Sequence, residues 1–415
     1  MSKPVIVFAG AVYPGQFGRL CEFLRATGMA ESYFLTTPGH RDRNKDKGDH
    51  ILSFVPDGKI IGDQSYYYSA KVERSARIGR GLRNAVKELE KKRPIDVIVA
   101  HSLWGAPHFL YDEIDAAIVS YIEFPSYRCH GWDPKYPPDD AQRMADKNTE
   151  MLNFHQALRS DLVICPSHHA KQMFPQALQS NIEVQLEGFD IKPVDERAIK
   201  DDATAPFTIG FAARDLSSSK GFETFVRLVD RLVRLGVDAR FVALGGSGVT
   251  TYGYEEQWVQ RKYGGDVENF RDHLMREYPI VADRIEFPGP LPYDAFAEKV
   301  MDTDLFLYPL QYGVANWGLV EILGRGGCVI APDRGYASEL LIDDINGRLL
   351  PDDDDIWIEE ILALQKDPAR RYRYGRAAQA LAAQFSLPAV APRYMRLFRQ
   401  AMDKRRRRQT ASRPT

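Results

Sequence analysis

The chain has 415 residues, 44% of them hydrophobic, and 55 Lys and Arg against 57 Asp and Glu give a formal net charge of -2. At roughly 100 to 200 residues per domain this predicts two or three domains, and the balanced charge excludes a disordered or polyelectrolyte chain. No apolar run approaches the roughly 20 residues that span a bilayer, the start lacks the regions of a secretory signal, and Cys21, Cys129, Cys165 and Cys328 form no C-x-x-C pair, so a cytoplasmic protein with reduced cysteines is expected.

In chain order, residues 4–8 form a short β-branched run closed by Gly10, and the helical spacing of 18–26 follows, which opens a βα unit. Strand patterns recur at 30–36, 95–100, 117–122, 161–165 and 182–185, with helical stretches such as 71–91 between them. After the polar, proline-containing stretch 190–206 the pattern restarts, with strands expected at 207–211, 239–244, 285–287, 305–308, 329–331 and 347–350 and an amphipathic helix over 221–235. Strands alternating with helices imply a parallel sheet covered on both faces. The expectation is therefore two doubly wound, Rossmann-like α/β domains, 1–190 and 207–380, joined by a linker at 191–206. A helical segment, 381–403, should pack back toward the first domain, and a basic tail, 404–415, should follow it. The arginines at 405–408 make that tail either a solvated end or a contact for anionic lipid.

Ligands of open α/β sheets bind beyond the carboxyl ends of the strands, and two such domains with facing strand ends would enclose a cleft. The first such loop holds Gly10, Gly15 and Gly18, where backbone N–H groups can approach an anion, although the spacing fits neither G-x-G-x-x-G nor a Walker loop. His101 stands directly after a buried strand and is either structural or within reach of a ligand hydroxyl. Arg214 and Lys220 bracket a serine run just before a helix, so two cations and a helix dipole can converge on a diphosphate. Gly245, Gly246 and Gly248 follow the next strand and can bring backbone close to a ligand. Asn316-Trp317-Gly318-Leu319-Val320-Glu321 opens a helix whose glutamate either favours the dipole or accepts two hydrogen bonds from a ribose diol.

This arrangement resembles the GT-B fold over nearly the whole chain, in particular the retaining glycosyltransferases of family 4, which use nucleotide-sugar donors. Tyr13-Pro14-Gly15-Gln16-Phe17 is similar to the N-F-P-G-Q-F opening of one bacterial branch. Segments similar to His101 and its successors, to Tyr121-Ile122-Glu123-Phe124, and to Trp132-Asp133-Pro134 with Pro137-Pro138 also occur in its N-terminal domain. The resemblance implies Arg214 and Lys220 on the diphosphate, Glu321 on the ribose as the second glutamate of an E-x(7)-E motif, and His101 orienting the donor sugar. The implied donor contacts are Gly15 and Gln16 in the first domain and Gly246, Gly313, Asn316, Trp317, Gly318, Leu319 and Glu339 in the second. It further implies no metal and no cofactor beyond a substrate such as a UDP- or GDP-sugar. The implied acceptor is a glycan, a lipid-linked molecule or a small molecule, contacted from 37–70 and 124–150, and no nucleic acid is involved. Independently of the resemblance, the arginines at 405–408 leave the basic tail more often solvated than in contact with the inner membrane face.

One departure stands out: the first glutamate of the motif is replaced by Gly313, eight residues before Glu321. The resembled branch also lacks it and keeps a tryptophan where Trp317 stands. Three functions compete. The first is a retaining glycosyltransferase moving a hexose-type sugar in bacterial glycan biosynthesis; the second is an inactive nucleotide-sugar-binding scaffold, motivated by Gly313. The third, a nicotinamide dehydrogenase, is disfavoured by the spacing of Gly10, Gly15 and Gly18.

Overall fold

The computed structural model describes residues 3–59, 66–123, 125, 132–191, 206–248, 253–310 and 312–411. The chain divides into two units: unit 1 comprises 1–129, 139–190 and 385–415, and unit 2 comprises 130–138 and 191–384. Among the helices, α1 (Gly18–Ala26), α2 (Ala70–Glu90), α3 (Asp140–Arg159) and α8 (Leu387–Ala411) belong to unit 1. Unit 2 contributes α4 (Phe222–Arg234), α5 (Glu255–Tyr263), α6 (Tyr293–Asp302) and α7 (Trp317–Gly324).

Unit 1 is built on seven parallel strands, β1 (Val5–Ala9), β2 (Glu31–Thr36), β3 (Ile51–Ser53), β4 (Val97–His101), β5 (Ala117–Tyr121), β6 (Leu162–Cys165) and β7 (Ile182–Val184), in the spatial order β3-β2-β1-β4-β5-β6-β7. Successive side chains of a strand point to opposite faces. Accordingly Ile6 and Phe8 join a core with Leu20 and Leu24 of α1 and Tyr394 and Phe398 of α8. Val5, Val7 and Ala9 join a second core with Ile78, Leu82 and Val86 of α2. Burial on both faces is why these strands read as continuous apolar runs. The sequence pattern missed β3, a three-residue edge strand in which only Ile51 is buried, leaving no periodicity to see.

The last helix is longer than expected. Tyr394 Oη donates to the carbonyls of Gln185 at 3.3 Å and Leu186 at 3.2 Å, fixing α8 to unit 1. Residues 404–411, expected as a basic tail, are instead its final turns: Arg408 Nη1 lies 3.1 Å from Asp161 Oδ1, and Arg405 donates to the carbonyl of Ile114. A carboxylate and a carbonyl facing the same side of the helix convert a run of like charges into an ordered end. Residues 412–415 lie outside the described residues.

Unit 2 holds six parallel strands, β8 (Thr208–Asp215), β9 (Arg240–Gly246), β10 (Ile285–Glu286), β11 (Leu305–Leu307), β12 (Val329–Pro332) and β13 (Arg348–Leu350), in the order β10-β9-β8-β11-β12-β13. The buried apolar residues of α4, Phe222, Phe225, Val226, Leu228, Val229 and Leu232, keep the i, i+3, i+4 spacing that makes one apolar face. Residues 132–138, expected in the N-terminal domain among the acceptor loops, belong to unit 2. The reason is Tyr136: its ring packs edge-on against Trp258 and Phe270, each at 5.0 Å between centroids, and its hydroxyl donates to Glu223 Oε2 at 2.9 Å. Lys135 reaches the other oxygen of Glu223 at 2.9 Å. The linker at 191–206 and the acceptor stretches 60–65 and 126–131 lie almost wholly or wholly outside the described residues.

Among the described residues, Cys21, Cys165 and Cys328 are buried free thiols, and Cys129 lies outside them. No described helix is long and apolar enough to cross a membrane.

Candidate functional site

Each sheet has one point where the chain reverses its direction of winding. In unit 1 the chain runs outward from β1 through β2 to β3, then returns to place β4 on the other side of β1. In unit 2 it runs from β8 through β9 to β10 and returns to place β11 beside β8. Loops leaving two such neighbouring strands diverge and open a crevice at their carboxyl ends. The sequence candidates cluster in these loops.

In unit 1, Gly15 adopts φ +48, and a Cβ there would lie 2.8 Å from the carbonyl oxygen of Val12, so only glycine fits the turn. That turn presents Gln16, whose Nε2 donates to Glu123 Oε1 at 3.1 Å. The same carboxylate oxygen lies 3.7 Å from His101 Nε2. The backbone N–H groups of Leu103 and Trp104 both aim at His101 Nδ1, at 3.2 and 3.3 Å. Two donors at Nδ1 assign the ring the tautomer with its hydrogen on Nε2, toward Glu123. Gln16, His101 and Glu123 thus meet beyond β1, β4 and β5. Sequence reading noticed Glu123 only as part of a similar segment; a carboxylate just after a largely apolar, fully buried strand was the available signal.

The helix α3 braces this cluster from behind. Gln156 donates to the carbonyl of Ser102 at 2.9 Å, and Asn153 donates to that of Pro125 at 2.5 Å, so polar side chains hold the backbone beside His101 and Glu123.

In unit 2, Arg214 and Asp215 end β8, and Ser217, Ser218, Ser219 and Lys220 follow as a buried turn. Arg214 is exposed and lies 3.5 Å from Asp215. Gly221 closes the turn at φ +83, where a Cβ would come within 2.1 Å of the carbonyl oxygen of Pro309, so the loops after β8 and β11 touch through bare backbone. In the last two residues of β9, a Cβ at Gly245 would lie 2.7 Å from Ala213 O, whereas one at Gly246 would meet only ordinary contacts at 3.6 Å. The need for glycine falls on Gly245 rather than on Gly246.

After β11, Asn316 caps α7 by accepting the N–H of Gly318 at 2.8 Å. Trp317 is exposed, while the Leu319 side chain is fully buried and can serve a ligand only through its backbone. Glu321, one turn on, is buried; its Oε2 accepts from Tyr293 Oη at 2.9 Å and from Arg325 Nη1 at 2.5 Å. These two residues orient the carboxylate, and Arg325 was visible in the sequence as an i, i+4 partner. Gly313 is buried, and a Cβ there would lie 2.8 Å from Leu310 Cδ1. Glu339 is exposed in a turn after β12, one strand further from the switch point.

A group that sequence reading missed lies under the serine turn. Glu255, at the start of α5, is fully buried, and its Oε1 accepts the N–H of Ser218 at 3.0 Å. Burial pushes its carboxyl up to about 7, and the nearby charge of Asp215 pushes the same way.

Two family models match consecutive stretches: Glycosyl transferase family 4 group over residues 30–194, and Glycosyl transferases group 1 over residues 195–381. The chain belongs to glycosyltransferase family 4. This is a family of nucleotide-sugar glycosyltransferases, and the two parallel-sheet units are its GT-B fold. Solved structures share the fold at low identity. Sucrose-phosphate synthase from Thermosynechococcus elongatus is 17% identical with a TM-score of 0.70, covering 96% of this chain and 99% of that one. A glycosyltransferase from Rickettsia africae ESF-5 is 15% identical with a TM-score of 0.64, covering 97% and 99%. Anabaena HepE, solved in complex with UDP-glucose, is 16% identical with a TM-score of 0.62, covering 95% and 98%. No curated protein sequence matches the chain significantly.

Proposed function

We propose that this family 4 glycosyltransferase moves a hexose-type sugar, with retention of configuration, from a nucleoside-diphosphate sugar to an acceptor in bacterial glycan or glycoconjugate synthesis. The observation that carries the reading is the backbone contact at the β8/β11 switch point, where Gly221, closing the Arg214 to Lys220 turn, meets Pro309 on the loop that leads to α7. Cations and helix dipole there offer a developing diphosphate charge fixed partners, so departure of the nucleotide needs no metal. Arg214 and Lys220 take the diphosphate, and Glu321, held by Tyr293 and Arg325, takes the ribose. Backbone from Gly313 to Gly318 takes the sugar, with Trp317 beside it. His101 donates through Nε2 to a donor-sugar hydroxyl. The complexes of Anabaena HepE with UDP-glucose and of TarM with UDP favour a UDP-sugar as the first donor to try.

The test is a screen of nucleotide sugars by thermal shift, followed by transfer to a panel of acceptors with the anomeric configuration of product read by proton NMR. Stabilisation by one nucleotide sugar, and transfer with retention in the presence of EDTA, are the expected results. An inverted product, or activity that chelation abolishes and added cation restores, would remove the mechanism.

A further inference from the structure

The serine turn after β8 is closed by its own backbone and tethered from outside by a side chain of α5. The N–H groups of Lys220, Gly221 and Phe222 donate to carbonyls inside the turn, at 3.2 Å to Ser217, 2.8 Å to Ser218 and 3.1 Å to Ser217. The N–H of Ser218 leaves the turn instead and meets Glu255 Oε1 at 3.0 Å, across 37 residues of chain. Gly253 makes room for this tether: a Cβ there would lie 1.8 Å from Glu255 Oε2. The tether is fully buried, and Oε2 has no hydrogen-bond partner among the described residues. A carboxylate with one bare oxygen is costly in such a place. A carboxylic acid accepts the same N–H through its carbonyl oxygen and carries its proton on the other oxygen.

Around this carboxyl stand Asp215 at the end of β8, Lys220 in the turn, the phenol of Tyr136, and the adjacent Glu256, which accepts the N–H of Phe270 at 3.2 Å. Burial is the largest reason that the Glu255 carboxyl is pushed up to about 7; the charge of Asp215 adds to it, and the bonds to backbone N–H groups pull the other way without cancelling it. We propose that Glu255 is a positioning residue of the donor site, holding the Lys220 turn through Ser218, and that a nucleoside-diphosphate sugar binds there together with a proton on Glu255. The proposal rests on the reading that Arg214 and Lys220 take the diphosphate. A diphosphate that joins a nucleoside to a sugar brings negative charge to the turn and has no proton of its own to lose near neutrality. Its charge raises the cost of ionising the acid underneath, so binding draws a proton from solvent onto Glu255 Oε2 wherever the free protein has lost it. By reciprocity the proton raises donor affinity by the same factor. Affinity is therefore highest at acid pH and falls as pH rises through about 7.

The test is isothermal titration calorimetry of the full chain with UDP-glucose and GDP-mannose as probes, across roughly pH 6 to 8.5. The wild type should lose about tenfold in affinity over that range. At its alkaline end the binding heat should change with the ionisation enthalpy of the buffer, which reports proton uptake. Glu255→Gln keeps an oxygen for the Ser218 N–H and cannot ionise, so it should bind as the wild type does at acid pH, with neither pH dependence nor buffer dependence. Glu255→Ala removes the acceptor and should weaken binding about tenfold at every pH, with the melting temperature showing that it is folded. Where it does not fold, the profile of Glu255→Gln decides. A pH dependence shared by wild type and Glu255→Gln, its absence from both, or a folded Glu255→Ala that binds as Glu255→Gln does would overturn the proposal. Lys220→Ala in the same titrations tells the two failures apart: weakened binding leaves the donor reading standing, whereas unchanged binding, or no binding of either probe to the wild type, takes both down.

Discussion

Glu255 accepts the backbone N–H of Ser218 at 3.0 Å from a fully buried position, so a carboxyl group pushed up to about 7 underlies the turn that carries Lys220. The folded state therefore holds this proton more tightly than the unfolded chain, whose ordinary value is 4.5. The stabilisation it brings is complete below pH 4.5 and is lost as pH rises through about 7. The difference in unfolding free energy between wild type and Glu255→Gln should accordingly change by up to about 3 kcal/mol across that window, with the variant gaining relative stability at high pH. Urea unfolding from pH 4 to 8, a range chosen on the order of the two values, measures it. A difference independent of pH would show that Glu255 takes up its proton alike in the folded and unfolded chains.

Lys220 lies in that same turn, buried between Ser219 and Gly221. If it meets the diphosphate, Lys220→Ala removes a charge-assisted bond worth roughly 1.5 to 3 kcal/mol, or about 10- to 100-fold in nucleotide affinity. Thermal shift by UDP and GDP, each compared with the ligand-free variant's own melting temperature, separates this loss from any change in stability. Equal affinity in wild type and variant would take Lys220 out of the site.

Gly221 offers a sharper steric test. Alanine would have to occupy φ +83 with its Cβ 2.1 Å from the carbonyl oxygen of Pro309. The left-handed backbone alone costs about 1 to 2 kcal/mol, and the collision must push apart the loops after β8 and β11. Gly221→Ala should therefore lose at least about 2 kcal/mol of stability and weaken nucleotide binding as well. A neutral effect in both denaturant unfolding and nucleotide titration would mean that the two loops part easily.

What could be read in advance follows from how far apart the partners lie in the chain. Strands buried on both faces announce themselves as apolar runs, and Arg214, Lys220 and Glu321 are conspicuous because they follow such runs at loops or helix starts. Glu255 is not conspicuous. Its partner Ser218 is 37 residues away, and nothing local distinguishes it from its exposed kin. Tyr293 likewise reaches Glu321 across 28 residues. The placement of 132–138 in unit 2 is a tertiary event as well, decided by where the Tyr136 ring finds Trp258 and Phe270. Local pattern shows where backbone turns; it does not show which distant side chain is trapped beneath the turn.

Gly313 and Glu321 decide between an active enzyme and an inactive scaffold. Glu321→Gln keeps the shape but gives Arg325 and Tyr293 a neutral partner and offers a ribose diol one acceptor oxygen in place of two. Transfer should fall along with nucleotide affinity, while the melting temperature reports how much of the change is lost support for Arg325. Gly313→Glu is a different experiment, because the new Cβ would sit 2.8 Å from Leu310 Cδ1 in a buried loop. The leucine side chain can rotate, but the carboxylate then enters a space packed without it, so activity should drop or donor-sugar preference should change. The wild type should transfer sugar without that carboxylate, since the N-terminal backbone of α7 can hold sugar hydroxyls unaided. If the wild type binds nucleotide sugars yet neither transfers nor hydrolyses them across a broad acceptor panel, and Gly313→Glu gains activity, the scaffold reading replaces the enzyme.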